Sequence, residues 1–296
     1  MSRYPMLLPD GFQKISVKKR FSKVSLRQFG SVPPRGASFL EFFHSLPDIL
    51  AGNWLKQIVE KVIEERRKNK PVLWMMGAHP VKVGVTPWII RMMQEGIITH
   101  LSGNTAVAVH DCEIAFFGTT SEDVRKGLQE GSFASGKESA EFLNKSALDA
   151  RKSQAGLGEQ IGKNLVKEKP RFWRRSILAM GYHLGIPCTL HGALGTDVPH
   201  IHPEMEGSAW GEALMRDFYI LCHSVSQLQG GGVVFNIGSA VILPVTFEKA
   251  LALCRNLRIP VEGFWGVNFD FLQLYRPNLN PVERARELSG EGFALT

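Results

Sequence analysis

The chain is expected to be an α/β protein: a Rossmann-like, doubly wound, mostly parallel sheet with helices on both faces. Three features predict this. Short continuous apolar runs such as Pro71-Val-Leu-Trp-Met-Met-Gly-Ala78 lie between stretches of helical periodicity, as strands buried on both faces do. Those runs end in glycine or small polar residues, which punctuate strand-to-helix turns. Strand and helix alternate over most of the length, the order that winds helices onto one sheet.

The elements follow in order. Pro33-Pro34 and Gly36 break the chain after its first segment. Residues 38–68 read as helix, with Phe42, Leu46, Ile49, Leu50, Ile58 and Val62 at helical spacing. The run 71–78 is the first strand. Thr86-Pro87 opens a helix, threonine as N-cap and proline at its first position. Gly96 closes it, and 97–102 is the next strand. Asn104 to Phe117 reads as helix with Gly118 as its stop, and Thr120-Ser-Glu-Asp123 starts another. Residues 137–184 are mainly helical, broken at Pro170. Ile186-Pro-Cys-Thr-Leu190 is a strand running into the turn His191-Gly-Ala-Leu-Gly195. Residues 207–228 form an amphipathic helix, 230–237 a strand, 244–256 a helix and 263–270 a last strand. Gly290 to Thr296 reads as an element cut short.

The 296 residues, 44% apolar and 21% charged, suit a globular protein and exclude disorder. No apolar run reaches the roughly 20 residues of a membrane span, and MSRYPMLLPDGF lacks the pattern of a secretion signal. Four cysteines (Cys112, Cys188, Cys222, Cys254) stand singly, as reduced thiols do in a cytoplasmic protein. Residues 1–35 hold eight basic side chains against Asp10 alone, so this segment carries the whole net charge of +7. A basic N-terminal arm over 1–36 and one α/β domain over 37–296 are the expected organisation. The arm is read as a strap for a neighbouring subunit or a mobile tail. No aromatic interleaving or nucleic-acid motif accompanies it, so nucleic acid is not the expected partner.

Ligands of such sheets lie beyond the carboxyl ends of the strands. Four loops qualify: Gly77 to Pro80, Ser102 to Thr105, His191 to Asp197, and Asn236 to Ser239. Gly156-Leu-Gly158-Glu-Gln-Ile-Gly162 imitates a dinucleotide fingerprint. Its spacing is one residue too long and it follows helix rather than strand, so it reads as helix packing. The densest polar cluster is His191, Asp197, His200, His202, Glu204 and Glu206. His200 and His202 with a carboxylate would suit a metal site and a metal-dependent hydrolase; the plainer reading is a polar loop without metal.

The segments Asn104-Thr-Ala106, His110-Asp111-Cys-Glu113, Thr120-Ser-Glu-Asp123, Ile186 to Gly195 and Gly230-Gly-Gly-Val-Val234, in this order, resemble the deoxyhypusine synthase family across roughly residues 70–275. The resemblance implies NAD as cofactor, a homotetramer and a transferase that moves the aminobutyl group of a polyamine through a lysine imine. It places Asn104, Thr105, Ala106, Asp111, Gly192, Gly230, Gly231 and Gly232 against NAD. It makes His191, Asp197 and Asn236 the candidates for the catalytic pocket. The family's Trp-Gly-Lys motif has no counterpart: after Lys169 the chain has only Lys249, in Phe247-Glu-Lys-Ala-Leu, a solvated helix face. The expected function is therefore a deoxyhypusine synthase-like NAD-binding enzyme acting on a polyamine or another amine. A non-catalytic nucleotide-binding or regulatory protein is the alternative, and the hydrolase is the second.

Overall fold

The computed structural model describes residues 3–296. The chain divides into two compact units, one ending at Gln57 and one over Ile58–Thr296.

In the first unit, α1 (Phe39–Ser45) begins at Ser38 with a capping box. Ser38 N–H donates to Glu41 Oε2 at 2.7 Å and Glu41 N–H to Ser38 Oγ at 3.3 Å. A second helix, α2 (Leu50–Arg67), follows. The single helix expected over 38–68 is thus interrupted at Pro47, whose ring bars a continuous helix. Lys56 Nζ ties the break together, donating to Leu46 O at 2.6 Å and pairing with Asp48 at 2.7 Å.

The second unit holds β1 (Val72–Met76), β2 (His100–Asn104), β3 (Cys188–His191), β4 (Val233–Ile237), β5 (Trp265–Phe269) and β6 (Gly292–Leu295). They form one sheet in the order β3-β2-β1-β4-β5-β6, and every neighbouring pair is parallel. The expected α/β sheet is what the chain forms. β6 supplies a sixth strand from the run read as an incomplete element. Between β1 and β2 lie α3 (His79–Lys82) and α4 (Thr86–Gln94). Between β2 and β3 lie α5 (Thr105–Phe117), α6 (Val124–Glu130), α7 (Lys137–Ser153), α8 (Leu157–Glu168) and α9 (Ile177–Leu184). Next, α10 (Gly207–Ser226) leads to β4 and α11 (Ile242–Asn256) to β5.

Side chains of β1 alternate between two cores. Leu73 and Met75 join Leu221, Val234, Phe247 and Phe264 on one face. Met76, with Trp74 packed beside it, joins Ile89, Met93, Leu101 and Leu190 on the other. A strand buried on both sides needs apolar residues at every position, which is why 72–76 reads as an unbroken apolar run.

Edge strand β3 is seated by α8. A Cβ on Gly158 would strike the Cys188 carbonyl, and one on Gly162 would stand 2.5 Å from Leu178 O. The fingerprint-like glycines therefore serve helix packing, as their context implies. Gly158→Ala is expected to cost about 2 kcal/mol through overpacking, lowering Tm by roughly 4–8 °C. Gly211→Ala on α10, where a Cβ meets nothing within 4 Å, is expected to leave stability unchanged or raise it by about 0.5–1 kcal/mol. Thermal unfolding of the pair checks this; equal effects would show that close approach does not hold α8 on β3.

Candidate functional site

The strand order reverses between β1 and β4. From the tip of β1 the chain turns into α3, and from the tip of β4 into α11. Side chains of α3 and α11 belong to opposite cores, so the two connections part and leave a crevice at the carboxyl ends. The ladder continues one step past the strands. Gly77 N–H donates to Ile237 O at 2.9 Å and Gly238 N–H to Phe269 O at 3.0 Å. A side chain on Gly77 would collide with the Gly238 carbonyl. Gly238 is exposed, has φ +62°, and has nothing within 4 Å of the place a Cβ would take. Bare backbone thus faces open space at the switch point.

Cavities lie on either side of this loop. One of about 480 Å³ is lined by Trp74, His79, Pro80, Gly238, Ala240 and Phe269 among others. Another, about 400 Å³, opens between α10 and α11 at the tip of β3, with His191, Gly192, Leu214, Phe218 and Val241 in its wall. Ala240 and Val241, adjacent in the chain, face different cavities. A smaller space of about 160 Å³ beside α5 is lined by Ala106, His110, Glu113, Glu122, Asp197 and Lys82.

Several expected site residues meet at the β2 and β3 tips. Asn104 is the N-cap of α5, its Oδ1 accepting from Val107 N–H at 3.3 Å. Thr105 donates its hydroxyl proton to Asp197 Oδ2. A Cβ on Gly192 would sit 2.5 Å from Thr105 Oγ1, so only glycine lets the β3 turn pass this close. His191, 5% exposed, is pushed down to about 3 by burial and is neutral at physiological pH. Near Ala106, burial alone would raise the Glu113 pKa, but the side-chain hydrogen bonds of His110 and Thr120 outweigh it and hold the carboxyl below its usual value.

Other expected residues lie elsewhere. Gly230, Gly231 and Gly232 precede β4, at the amino end of the sheet, opposite the crevice. All three have positive φ. Gly232 N–H donates to the buried carboxylate of Glu65 at 2.8 Å, and a side chain on Gly231 would strike that carboxylate. The triple glycine is thus a seat for α2, which corrects its assignment to the cofactor. Asp111 is corrected too. It is fully buried and caps α9, accepting from Ser176 Oγ at 2.5 Å, Ile177 N–H at 2.9 Å and Leu178 N–H at 3.1 Å. Burial raises its pKa to about 6 against those hydrogen bonds. Asn236 is buried within β4 and donates to Ser239 O at 3.0 Å and Asn268 Oδ1 at 2.8 Å. It braces the β4 tip from below.

The imagined metal ligands do not converge. His200 Nδ1 accepts from Gly195 and Asp197 N–H at 3.2 and 3.1 Å. His202 Nε2 lies 2.9 Å from Ala134 O, and Glu206 pairs with Arg151. Among the described residues no group of three or more His, Cys, Asp or Glu could hold a metal ion, so the hydrolase reading loses its site.

Lys249 pairs with Glu248 at 3.1 Å, its side chain 63% exposed. Lys82 lines the same small space as Asp197; it lies in α3, far in sequence from the C-terminal region where an imine lysine was expected. Also missed was a buried polar group under α10, formed by His100, Ser102, Thr189 and Ser224. Its signal was present: polar and apolar residues alternate in both β2 and β3, His100-Leu-Ser102 and Cys188-Thr-Leu-His191.

No family model matches the chain. An ornithine cyclodeaminase of Methanopyrus kandleri is 24% identical over 181 residues, covering 58% of this chain and 40% of that protein. The chain therefore spans less than half the length of this curated relative. Among solved structures, the ternary complex of AgrE with ornithine and NAD+ is 15% identical, with TM-score 0.46 and coverage of 73% of this chain and 27% of that one. A chain from Entamoeba histolytica described as a deoxyhypusine synthase is 12% identical, with TM-score 0.43 and coverage of 74% and 93%. No helix of the described residues is long and apolar enough to cross a membrane.

Burial makes the site sensitive to acid. His191 has a folded pKa near 3 against about 6.5 unfolded, so below about pH 6.5 the unfolded chain binds the extra proton. This group's stability contribution is complete above pH 6.5 and is lost as pH falls, by about 1.4 kcal/mol per unit. The stability gap between wild type and His191→Gln is expected to be smaller at pH 5 than at pH 7, by on the order of 2 kcal/mol. Urea unfolding at both values measures it, and a pH-independent gap would show that His191 is not held neutral by burial.

Proposed function

We propose that this chain is an NAD-binding enzyme that acts on a small amine. The observation that carries the reading is the switch point: bare backbone at Gly238, reached from β4, between two cavities whose walls meet at Ala240 and Val241. An extended dinucleotide has two rings joined by a charged linker, and this arrangement supports one ring entering each side. The residues fit such a group. Gly77 and Gly238 bring the strand tips together without side chains, and Ala240 keeps the rim low. Bound there, NAD would accept a hydride.

The chain's own residues account for the amine. Asp197, half-buried and anchored by the Thr105 hydroxyl, is a carboxylate fixed at the β2 and β3 tips. It suits an ammonium group, with Glu113 and Glu122 on the same side. On the other side of Gly192, which packs on Thr105, the apolar walls of Leu214, Phe218 and Val241 form a separate cavity that suits an alkyl body. The ornithine cyclodeaminase relative is named for an amine-bearing substrate, which accords with this choice. Deoxyhypusine synthesis in the narrow sense needs a pocket amine that Lys249 does not supply from its exposed helix face. A polyamine or an amino acid with a side-chain amine is the substrate class this reading takes. A homo-oligomer belongs to the same proposal.

Saturating NAD, at about 100 times its dissociation constant, is expected to stabilise the fold by about 2.7 kcal/mol and raise Tm by about 5 °C. Ala240→Trp, which fills the rim, is expected to abolish the shift while keeping the unliganded Tm. An unmoved wild-type Tm sinks the cofactor assignment. Asp197→Asn is expected to weaken spermidine or ornithine binding by about 10–100-fold. Calorimetry with both amines reads this.

A further inference from the structure

A chain of buried polar side chains runs beneath α10 to the wall of the His191 cavity. Ser224 Oγ lies 2.7 Å from His100 Nδ1, and His100 Nε2 lies 2.9 Å from Thr189 Oγ1. Thr189 Oγ1 lies in turn 2.9 Å from Ser102 Oγ and 3.0 Å from His191 Nε2. His100 is 1% exposed, and Ser102 and Thr189 are 0% exposed, so water does not enter among them. Burial, and the neighbouring His191, push the His100 pKa down to about 3; burial does the same to His191. Both rings are neutral, each with one N–H and one bare nitrogen.

Hydrogen-bond capacity then orders the protons. The Ser102 hydroxyl has Thr189 as its single partner among the described residues, so it donates there and takes one lone pair of Thr189. Thr189 keeps one lone pair and one proton for two histidine nitrogens. One of these must donate and the other accept. Ser224 Oγ has His100 Nδ1 as its single partner among the described residues, and by the same rule as Ser102 it gives its hydroxyl proton there. His100 therefore carries its proton on Nε2 and gives it to Thr189, and Thr189 donates to His191 Nε2. We infer that Ser224, His100 and Thr189 are positioning residues that fix His191 with its proton on Nδ1, as a neutral donor for the carbonyl oxygen of a ligand with an apolar body. Nδ1 has no partner among the described residues, and the His191 ring lines a cavity walled by Leu194, Leu214, Met215 and Phe218. A neutral N–H suits a carbonyl, the kind of product formed when an amine carbon is oxidised and hydrolysed. It offers nothing to an ammonium ion, which falls to Asp197.

The assignment holds for the chain alone with no cofactor bound, so its failure and that of the NAD reading are separate. Two-bond proton–nitrogen correlation spectra of the full-length, nitrogen-15-labelled chain report the tautomer. Wild type and Thr189→Ser are expected to show His191 protonated on Nδ1. Thr189→Val, which lacks the hydroxyl, is expected to populate the Nε2–H form. Cyclohexanone is expected to shift the Nδ1 resonance, and cyclohexylammonium is not. A wild-type His191 protonated on Nε2, a Thr189→Val spectrum with the wild-type tautomer, or a response to the ammonium probe alone would overturn the inference.

Discussion

The site depends on how the free edge of β3 is closed. This strand pairs with β2 on one side, and its other edge would present unpaired backbone groups. Asp217 of α10 meets that edge, its Oδ2 accepting from Leu190 N–H at 2.8 Å and from Gly158 N–H at 3.0 Å. One carboxyl thus binds the edge strand, the start of α8 and the middle of α10. Burial raises its pKa to about 8 against those backbone hydrogen bonds. The cost is set against two buried amides that would otherwise lack partners, each worth about 1–3 kcal/mol. His191 and Gly192 follow directly on Leu190, so their placement beside Thr105 is inherited from this contact.

The sheet's two faces are not equivalent near β2 and β3. Leu101, Cys188 and Leu190 enter an apolar core, while His100, Ser102, Thr189 and His191 share the opposite face and bond to one another. Such a group is tolerated in a dry interior only when its members satisfy each other. Satisfaction also gives it direction, because a hydroxyl has one proton to offer. An apolar set of the same shape would pack β2 and β3 as well. It would leave His191 free to choose its tautomer.

Much of the fold was legible because its signals are local. Gly118 closes α5 in a left-handed conformation, and β1 reads as an apolar run. α4 starts at Thr86-Pro87 as expected, but Val85 and not Thr86 is its N-cap, and Thr86 makes no capping hydrogen bond. What escaped needed strand polarity or long-range contacts. Triple glycine beside a strand reads the same whether it precedes or follows it. Here it precedes β4 and accommodates Glu65, a residue 166 positions before Gly231. The resemblance placed Asp111 against NAD. It lies inside α5 and caps α9, a partner 65 residues on. His200 and His202 looked like a ligand pair because they alternate, but backbone groups engage each of them. Residue type was informative about where polarity was needed, and silent on which end of the sheet needed it.

Strand polarity also explains why the crevice is built from so little. At the carboxyl tips of a parallel sheet the next residues must leave for one face or the other, and at β1 and β4 they leave for opposite faces. Bulk is unwelcome where they part, since a side chain on Gly77 would displace the Gly238 carbonyl. The gap so formed has backbone for its floor and takes its chemistry from neighbours. On the β2 and β3 side those are Asp197 and the neutral ring of His191; across β1, β4 and β5 they are the rings of Trp74, Phe235 and Phe269, 5.3 and 6.1 Å apart in succession. A flat ring finds an aromatic floor on one side of Gly238, and a polar group finds a fixed acid and a fixed donor on the other. In the NAD-bound form proposed above, that asymmetry would give the dinucleotide its direction in the crevice, with the reactive end toward the side where proton positions are controlled.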